Sequence, residues 1–550
     1  MNEIRRIILW FVFVFSLAML WDQWQISQGH KPMFLPSSSK EMQAAKTTAP
    51  AQESLPTSVQ TAAAQPTPTT TATVKGERIE VTTDVLKLTF DTRGGSLVRA
   101  ELLKHADVRR PGQNVVLLDD SKDRVYMAQT GLIGGPTGSD WPTHQTAMRF
   151  LGATTLKEGE DHLQFKFESL NDSPVKLIKT YDLQRNSYAL SVQHDIVNTS
   201  NVPISPQMYV QLVRDGNKPE GESSFYSTFT GPAVFTTEKK YEKVDFGDIE
   251  KGKTSFQAQT QQGYVAMVQH YFASAWLIED QQQRTNFARK IDQNLYAVGM
   301  VVPLPSVAAG EKHRHQTRLF VGPQEEKTLE ALYPGLELVK DYGWLTILSK
   351  PLFWLLYELN RVIANWGWAI VALVVVLKAA FYWLNAQAYR SMGKMKAINP
   401  KIMEMRERLK DNPQQMQMEM MKIYREEKVN PLGGCLPILV QIPFFIALYW
   451  VLLSSVEMRN APWIGWVHDL AAPDPWFILP LLMTATSMFQ TWLNPTPPDP
   501  VQAKMMWFMP LAFSVMFFFF PAGLVLYWLT NNILSIAQQW MINRQLGLNT

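Results

Sequence analysis

The sequence is poor in the residues that build covalent cross-links and catalytic centres. Cys435 is the single cysteine among 550 residues, which excludes an internal disulfide and any metal site that needs several cysteines. Motifs with a catalytic mechanism are also missing, since the chain has no HExxH pair, no glycine-rich phosphate loop and no GxSxG turn. We therefore expect no enzyme activity, no cofactor, no metal and no nucleotide hydrolysis.

The overall composition describes neither half of the chain. At about residue 340 a polar, strand-like sequence gives way to apolar runs rich in Trp, Phe and Met, which alternate with short polar loops. Apolar runs of this length favour membrane-spanning helices. The composition predicts a polytopic α-helical membrane protein that also carries a separate β domain.

The N-terminus predicts a membrane anchor. Arg5 and Arg6 precede the apolar run 7–21, and no small-x-small cleavage site follows it. We interpret residues 1–24 as an uncleaved signal anchor and first transmembrane helix rather than a cleaved signal peptide. Residues 25–77 are rich in Ala, Thr, Gln, Ser and Pro without apolar periodicity, which is typical of a disordered linker.

Residues 78–340 show the period of two that indicates β-strands. Apolar side chains alternate with polar ones in several stretches, for example at Leu86, Leu88 and Phe90, at Leu163, Phe165 and Phe167, and at Tyr188, Leu190, Val192 and Ile196. The turn sequence 91–95 (DTRGG) follows the first stretch. Many short alternating strands predict an antiparallel β-sandwich.

Helical periodicity replaces the strand pattern after Pro334. Leucines at three- and four-residue spacing predict an amphipathic helix over 343–360, either lying in the membrane interface or packed as a connector to the β domain. With the anchor, five more apolar segments predict six transmembrane helices, the five lying at about 363–384, 433–456, 476–492, 505–520 and 523–541. Polar residues recur inside them, namely Lys378, Gln441, Thr484, Thr486, Asn531 and Asn532.

The distribution of basic residues predicts the orientation. Residues 385–430 hold ten Lys and Arg against six Asp and Glu, whereas 457–475 hold only Arg459 as a base. Basic loops stay in the cytoplasm, so the β domain is expected outside and both termini inside.

The basic loop itself predicts a cytoplasmic helical hairpin over 385–430. Asn399 and Pro400, and again Asn412 and Pro413, place a capping residue before a proline at the first helical position. Two apolar stripes lie on the hairpin, formed by Ile402, Met405 and Leu409 and by Met416, Met420 and Ile423. Met-rich faces adapt to varied apolar partners, although such stripes more often pack on each other. The hairpin residues singled out are Met405, Arg406, Arg408 and Met420.

Lys378 is the residue that distinguishes the functional alternatives. An ammonium within an apolar span costs roughly 3 kcal/mol, so the side chain either faces a wet functional site or reaches the cytoplasmic interface as a snorkelling anchor. The functional alternatives are a transporter or channel with Lys378 in a substrate path, and an insertase that offers a polar groove to other proteins. No internal repeat of the kind common in transporters is visible.

Three motifs carry a family resemblance: 403–409 (MEMRERL), 427–435 (EKVNPLGGC) and 520–528 (FPAGLVLYW). Their order and the topology resemble the YidC/Oxa/Albino family of membrane protein insertases, in its Gram-negative form, over essentially the whole chain. The resemblance implies a periplasmic β-supersandwich over 78–340, an insertase core of five helices over 341–546, and a location in the bacterial inner membrane.

The resemblance also implies a site and partners. Lys378 matches a positive residue in a hydrophilic groove open to the cytoplasm, and Gln441, Tyr527 and Trp528 match positions that line the groove or contact substrate; Asn531 is added as a polar neighbour. The expected partners are nascent inner-membrane proteins, the Sec translocon with its accessory proteins, and lipids, without nucleic-acid specificity. Relatives with a strongly basic tail are expected to touch ribosomes, whereas the tail 547–550 here has no basic residue.

Overall fold

The computed structural model describes residues 76–108, 110–136, 139–219, 228–409, 412–427, 436–494 and 500–545. The predicted anchor 1–24, the linker up to residue 75, Cys435 and the tail 547–550 lie outside the described residues. The chain divides into two compact units between Lys340 and Asp341. We call the described residues 76–340 the β domain and 341–545 the helical domain.

The β domain contains eighteen strands within its described residues. They are β1 (Arg78–Thr82), β2 (Leu86–Asp91), β3 (Ser96–Ala106), β4 (Asn114–Asp120), β5 (Val125–Ile133), β6 (Met148–Gly152), β7 (His162–Ser169), β8 (Val175–Gln184), β9 (Ala189–Asn198), β10 (Gln207–Asp215), β11 (Gly231–Thr236), β12 (Lys240–Lys243), β13 (Gln259–Thr260), β14 (Gly263–Val268), β15 (Phe272–Ile278), β16 (Arg284–Asp292), β17 (Leu295–Pro303) and β18 (Lys312–Pro323). Two short helices, α1 (Phe246–Glu250) and α2 (Glu326–Leu332), accompany them.

The strands form two nine-stranded sheets. One has the order β1-β2-β3-β4-β5-β10-β17-β16-β13, and the other β12-β11-β14-β15-β18-β9-β8-β7-β6. The strand pairs are antiparallel, with β10 between β5 and β17 in the first sheet and β9 between β8 and β18 in the second. The predicted antiparallel β-sandwich is confirmed.

The alternation in the sequence has the expected physical result. The predicted inward residues are buried, with Leu88, Phe90, Phe167 and Leu190 each 0% exposed. Their burial follows from the strand period, because every second side chain points to the same face. Hydrogen bonds also connect the two sheets. For example, the indole N–H of Trp276 on β15 donates to the backbone carbonyl of Gln211 on β10 at 3.0 Å.

The turn after β2 depends on two glycines. Gly94 and Gly95 have φ of 72° and 58°, in the left-handed region that glycine adopts without steric cost. A Cβ on Gly94 would lie 2.2 Å from the His144 carbonyl oxygen, so the close approach of that loop also requires glycine.

The helical domain contains eight α-helices in its described residues. They are α3 (Thr346–Ile363), α4 (Trp366–Ala380), α5 (Tyr382–Arg408), α6 (Pro413–Glu426), α7 (Leu436–Ser454), α8 (Ile478–Leu493), α9 (Pro500–Phe517) and α10 (Ala522–Gln545). Their common core is apolar and includes Leu356, Ile370, Leu448, Leu479 and Val525.

No single described helix is both long and apolar enough to cross a membrane; α4 and the first part of α5, Tyr382–Met395, satisfy that criterion together, with a bend of 69° between them. The predicted span at 363–384 is therefore not one straight helix. It ends at Ala380, and a new helix begins at Tyr382.

The start of the hairpin also differs from the prediction. Asn399 and Pro400 do not cap a helix, because α5 begins at Tyr382 and carries Pro400 in its interior. The second predicted cap is present: the Asn412 side chain accepts a hydrogen bond from the backbone N–H of Gln415, with Pro413 at the first helical position.

The two apolar stripes of the hairpin pack on each other. Ile398, Ile402 and Met405 are buried against a set of partly buried side chains that includes Leu409, Met416, Met420 and Ile423. Arg408 pairs with Glu419 of the facing helix at 3.1 Å. Of the two interpretations of the stripes, the structure therefore favours mutual packing, and the methionines left exposed are Met403, Met418 and Met421.

Candidate functional site

A pocket lies where α4, α7 and α10 meet. It encloses about 320 Å³ of space, part of it open to the surface, and its lining comprises Val374, Leu377, Lys378, Phe381, Gln441, Phe444, Phe445, Tyr527 and Asn531. Four of the five core residues singled out from the sequence meet here, since Lys378, Gln441, Tyr527 and Asn531 all contribute side chains. One wall is apolar, and the four polar side chains face the same space.

Lys378 is half-buried and points towards α10. Its Nζ donates a hydrogen bond to the Ser535 Oγ at 2.7 Å. Lys378 lies in the last turn of α4, where the partial negative charge of the helix C-terminus favours a cation. Lys378 forms no ion pair with any described residue, so its charge has no carboxylate counter-ion within that part of the chain.

Gln441 connects the pocket to the bend between α4 and α5. Its amide Nε2 donates to the Asn385 Oδ1 at 3.3 Å. Asn385 is 4% exposed, and its own Nδ2 has no hydrogen-bond partner among the described residues. A buried donor left unpaired costs about 1–3 kcal/mol, so this amide favours a polar group or a water beside it.

The two aromatic residues of α10 that were singled out from the sequence have different surroundings. Tyr527 is 5% exposed and lines the pocket, with its ring 5.6 Å from that of Phe445. Trp528 is not among the lining residues; it stacks on Phe445 at 5.8 Å and meets the edge of Phe517 at 4.8 Å. Trp528 thus packs against a lining residue, Phe445, without lining the pocket itself.

The sequence patterns single out Asn531 and Asn532 but miss the polar face that continues from them along the second half of α10. Asn532, Ser535, Gln538, Gln539 and Asn543 are all buried. Asn532 donates to the Ser487 hydroxyl on α8, and Gln538 donates to the Tyr382 carbonyl at the start of α5. The spacing of Asn531, Ser535 and Gln538 at four and three residues places them on one helical face, and that spacing is the signal that could have identified them.

The opposite end of α10 is covered by the connection between α7 and α8. Leu470 is 1% exposed, and its carbonyl accepts from the backbone N–H of Gly523 at 2.9 Å. Asp474 fixes this connection, since its carboxylate accepts from the Trp466 indole at 2.9 Å and from the backbone N–H of Leu479 at 2.7 Å. Along α10, a covered apolar start is therefore followed by the pocket and then by the polar face.

The predicted hairpin residues do not join the pocket. Met405 and Met420 are part of the contact between α5 and α6, Arg408 is paired with Glu419, and Arg406 lies partly buried on the same hairpin. The hairpin is thus a separate surface, linked to the pocket through α5.

The β domain contains a fully buried lysine. Lys179 is 0% exposed, and its Nζ donates to the carbonyls of Gly94 at 2.6 Å and Thr130 at 2.8 Å. Burial lowers the pKa of this amine to about 7, because a charge loses its hydration in the core. His194, bonded to the Thr130 hydroxyl at 3.0 Å, is also buried, and desolvation holds its pKa well below the usual value.

The described residues contain no group of three His, Cys, Asp or Glu side chains that could hold a metal ion. The polar side chains of the pocket are an amine, an amide pair and a phenol. Such a set can bind anionic or hydrogen-bonding groups, but it holds no carboxylate or imidazole that would serve as a base at neutral pH.

Comparisons with known proteins identify the family. Residues 78–355 match the family model described as the YidC periplasmic domain, and residues 358–548 match that of the 60Kd inner membrane protein. The chain is 53% identical to the membrane protein insertase YidC of Cupriavidus metallidurans, over 99% of this chain and 98% of the relative. It is 52% identical to that of Ralstonia nicotianae, over 100% of this chain and 99% of the relative.

A solved structure, described as an active YidC insertase with the first transmembrane domain resolved, aligns with a TM-score of 0.39 at 19% identity, over 84% of this chain and 92% of that one. The assignment rests on the sequence matches, which extend over nearly all of the chain. The chain belongs to the YidC family of membrane protein insertases and is an inner-membrane protein with a periplasmic β-sandwich domain.

Proposed function

We propose that the protein inserts and folds inner-membrane proteins through a hydrophilic groove that opens to the cytoplasm. The protein does this without hydrolysing nucleotide. The groove comprises the pocket around Lys378 and the polar face of α10 that continues from it. From Asn531 to Asn543 that face extends for about 18 Å at the rise of an α-helix. A path of this length would bring water and polar side chains partway into the bilayer.

The observation that carries the proposal is the cation of Lys378, which no described carboxylate neutralises, in a pocket whose other polar groups are neutral. A translocated polar segment pays a high desolvation cost in hydrocarbon. A wet groove shortens the apolar slab that it must cross, and the charge of Lys378 attracts acidic residues in that segment. Burial of the client's apolar helix in lipid, at about 25 cal/mol per Å², supplies the net driving force.

The proposed topology has six transmembrane helices, with the N-terminus, the hairpin of α5 and α6, and the C-terminus in the cytoplasm. The ten Lys and Arg of 385–430 support this orientation. The bent pair α4–α5 would begin in the membrane at α4 and leave it on the cytoplasmic side. Helix α3, with Trp354 57% and Val362 82% exposed, would lie in the outer interface.

The proposed partners follow from this arrangement. Nascent inner-membrane proteins would be received by the hairpin and passed to the pocket, either by this protein alone or together with the Sec translocon. Lipids would contact the exposed apolar side chains of the helical domain. Residues 547–550 carry no basic residue, so they would not contribute to contact with a ribosome.

Site-specific crosslinking tests whether clients enter the pocket. A photo-reactive amino acid at Gln441 is expected to crosslink to a stalled nascent membrane protein, because the side chain faces the pocket. The matched control places the same probe at Phe513, which is 53% exposed on α9 and does not line the pocket. Equal crosslinking at the two positions would contradict a specific client path.

A further inference from the structure

Ser535 is the residue that holds the amine of Lys378. We infer that Ser535 is a positioning residue for Lys378, and that it fixes the ammonium at the α10 side of the pocket for contact with acidic groups of the client. This inference rests on the function proposed above, since it concerns how the cation of the groove is oriented.

The hydrogen bonds of Ser535 commit its hydroxyl to the role of acceptor. Its Oγ donates its one proton to the backbone carbonyl of Asn531, one helical turn earlier, at 2.7 Å. A serine hydroxyl has one proton and two lone pairs, so what remains for Lys378 Nζ, at 2.7 Å, is acceptor capacity. An ammonium can only donate hydrogen bonds, so Lys378 is the donor of this pair and Ser535 is the acceptor.

The position of Ser535 adds a second constraint. It is 4% exposed, and the side chain of Tyr389 on α5 also interacts with it. Ser535 thus contacts residues on both sides of the bend at Phe381, Lys378 on α4 and Tyr389 on α5. A lysine has four rotatable bonds and much conformational freedom, and this anchor limits the positions that its ammonium can occupy.

The remaining two N–H bonds of the Lys378 ammonium are left for the pocket. One N–H of the ammonium donates to Ser535, and Lys378 forms no ion pair within the described residues. A free lysine could withdraw from the pocket towards the interface; one that is bonded to Ser535 stays beside Asn531 and Tyr527. The expected consequence is a preference for acidic over neutral translocated segments that depends on the Ser535 hydroxyl.

The test measures insertion rates of paired clients, one with an acidic and one with a neutral translocated tail, by the full-length protein in reconstituted vesicles. We expect Ser535→Ala to lower the acidic-to-neutral rate ratio about threefold, near the lower end of what one hydrogen bond contributes, because the charge of Lys378 is kept and only its position is released. Ser535→Thr keeps the hydroxyl and should keep the ratio. Ser514→Ala is the matched control, because Ser514 is 3% exposed and makes the same bond to its own helix, to the Pro510 carbonyl at 2.6 Å.

Lys378→Met separates this inference from the proposed function. If Lys378→Met lowers the ratio but Ser535→Ala does not, the positioning role is wrong and the groove proposal stands. If Lys378→Met leaves the ratio unchanged, the proposed role of the cation fails, and the positioning role fails with it. In the Lys378→Met background, Ser535→Ala should cause no further change in the ratio; a further loss, or an equal slowing of both clients by Ser535→Ala alone, would assign Ser535 a merely structural role.

Discussion

The two domains of this protein differ in the apolar side chains that they expose and in the polar side chains that they bury. In the described part of the β domain only four large apolar side chains are exposed, at Val108, Leu151, Leu170 and Val202, whereas the described helices and their connections expose 32. The buried polar side chains differ as well. The β domain buries charges such as Lys179, Arg214 and Arg284, while the helical domain buries mostly neutral amides and hydroxyls, such as Ser535 and Gln539.

This difference indicates which solvent each domain is built for. Large exposed apolar surface is unusual on a protein surrounded by water, but it is the surface that lipid requires. Polar side chains inside a membrane bundle are expensive and tend to be functional. The buried polar side chains of the helical domain, in the pocket and on the polar face of α10, are therefore the best candidates for function.

The largest expected effect comes from removing the hairpin, and removal of the β domain is the comparison for it. Replacement of residues 398–427 by a short flexible linker should abolish insertion while the protein still accumulates in the membrane, because clients would lose their receiving surface. Removal of residues 78–320, which leaves α3 in place, should change the insertion of simple clients by no more than about twofold, since the β domain is a self-contained unit. Insertion assays on both variants at matched protein levels measure the two effects.

Two outcomes would reverse this comparison. Normal insertion without 398–427 would reduce the hairpin to a spacer. Complete loss of insertion without 78–320, at normal protein levels, would give the β domain a direct part in the reaction.

Two similarly exposed leucines, one in each domain, test whether the β domain faces water and α9 faces lipid. Leu170 of the β domain is 55% exposed and Leu511, near the middle of α9, is 51% exposed. Leu511→Asp should destabilise the protein by about 3 kcal/mol, the cost of an aspartate at the centre of a membrane helix. Leu170→Asp should stay within about 0.5 kcal/mol, as for other surface substitutions. Thermal unfolding midpoints in lipid nanodiscs compare the two, and equal shifts would contradict a lipid environment for α9.

A smaller effect is expected from the buried amine of the β domain. The pKa of Lys179 is about 7 in the folded state, against an ordinary value of 10.5. Between these values the unfolded chain binds more protons than the folded one, so the free energy of unfolding rises with pH by up to about 1.4 kcal/mol per unit. Below pH 7 both states are protonated, and the full cost of burying the charge is present.

Urea unfolding of residues 76–340 between pH 7 and pH 10.5 measures this dependence. Lys179→Met is the control, because it keeps an apolar stem of similar length and removes the titrating group. In the variant, the free energy of unfolding should rise less steeply with pH, because the contribution of Lys179 is absent. Parallel slopes for both proteins would mean that the amine is charged in the folded state throughout.

The β-sandwich could be predicted because its signal is local. In segments such as the one with Leu163, Phe165 and Phe167, the two-residue period directly identifies the side chains that are buried. The order of the eighteen strands could not be predicted in this way, since pairs such as β10 with β17 join residues far apart in the sequence.

The helical domain shows where local rules fail. Nothing in the sequence around Phe381 breaks a helix, since neither Pro nor Gly is present there; contacts from elsewhere hold the bend, including the ring of Phe444 at 5.0 Å from that of Phe381 and the amide of Gln538 on the Tyr382 carbonyl. At Pro400 the sequence predicts a helix start that is not there, because proline favours the first helical position but is tolerated within α5. The role inferred for Ser535 was equally hidden, since it lies 157 residues from its partner Lys378.

Paired insertion rates of acidic-tail and neutral-tail clients in reconstituted vesicles test most directly whether the charge of Lys378 serves the pocket. At about 4 Å, two unit charges interact with about 1 kcal/mol in water and about 4 kcal/mol near a protein surface. We therefore expect Lys378→Ala to slow the acidic-tail client about tenfold, within that range, and the neutral-tail client far less, while Lys378→Arg keeps both rates. If alanine slows both clients equally, or neither, then Lys378 is an anchor at the membrane interface and the account of the groove is wrong.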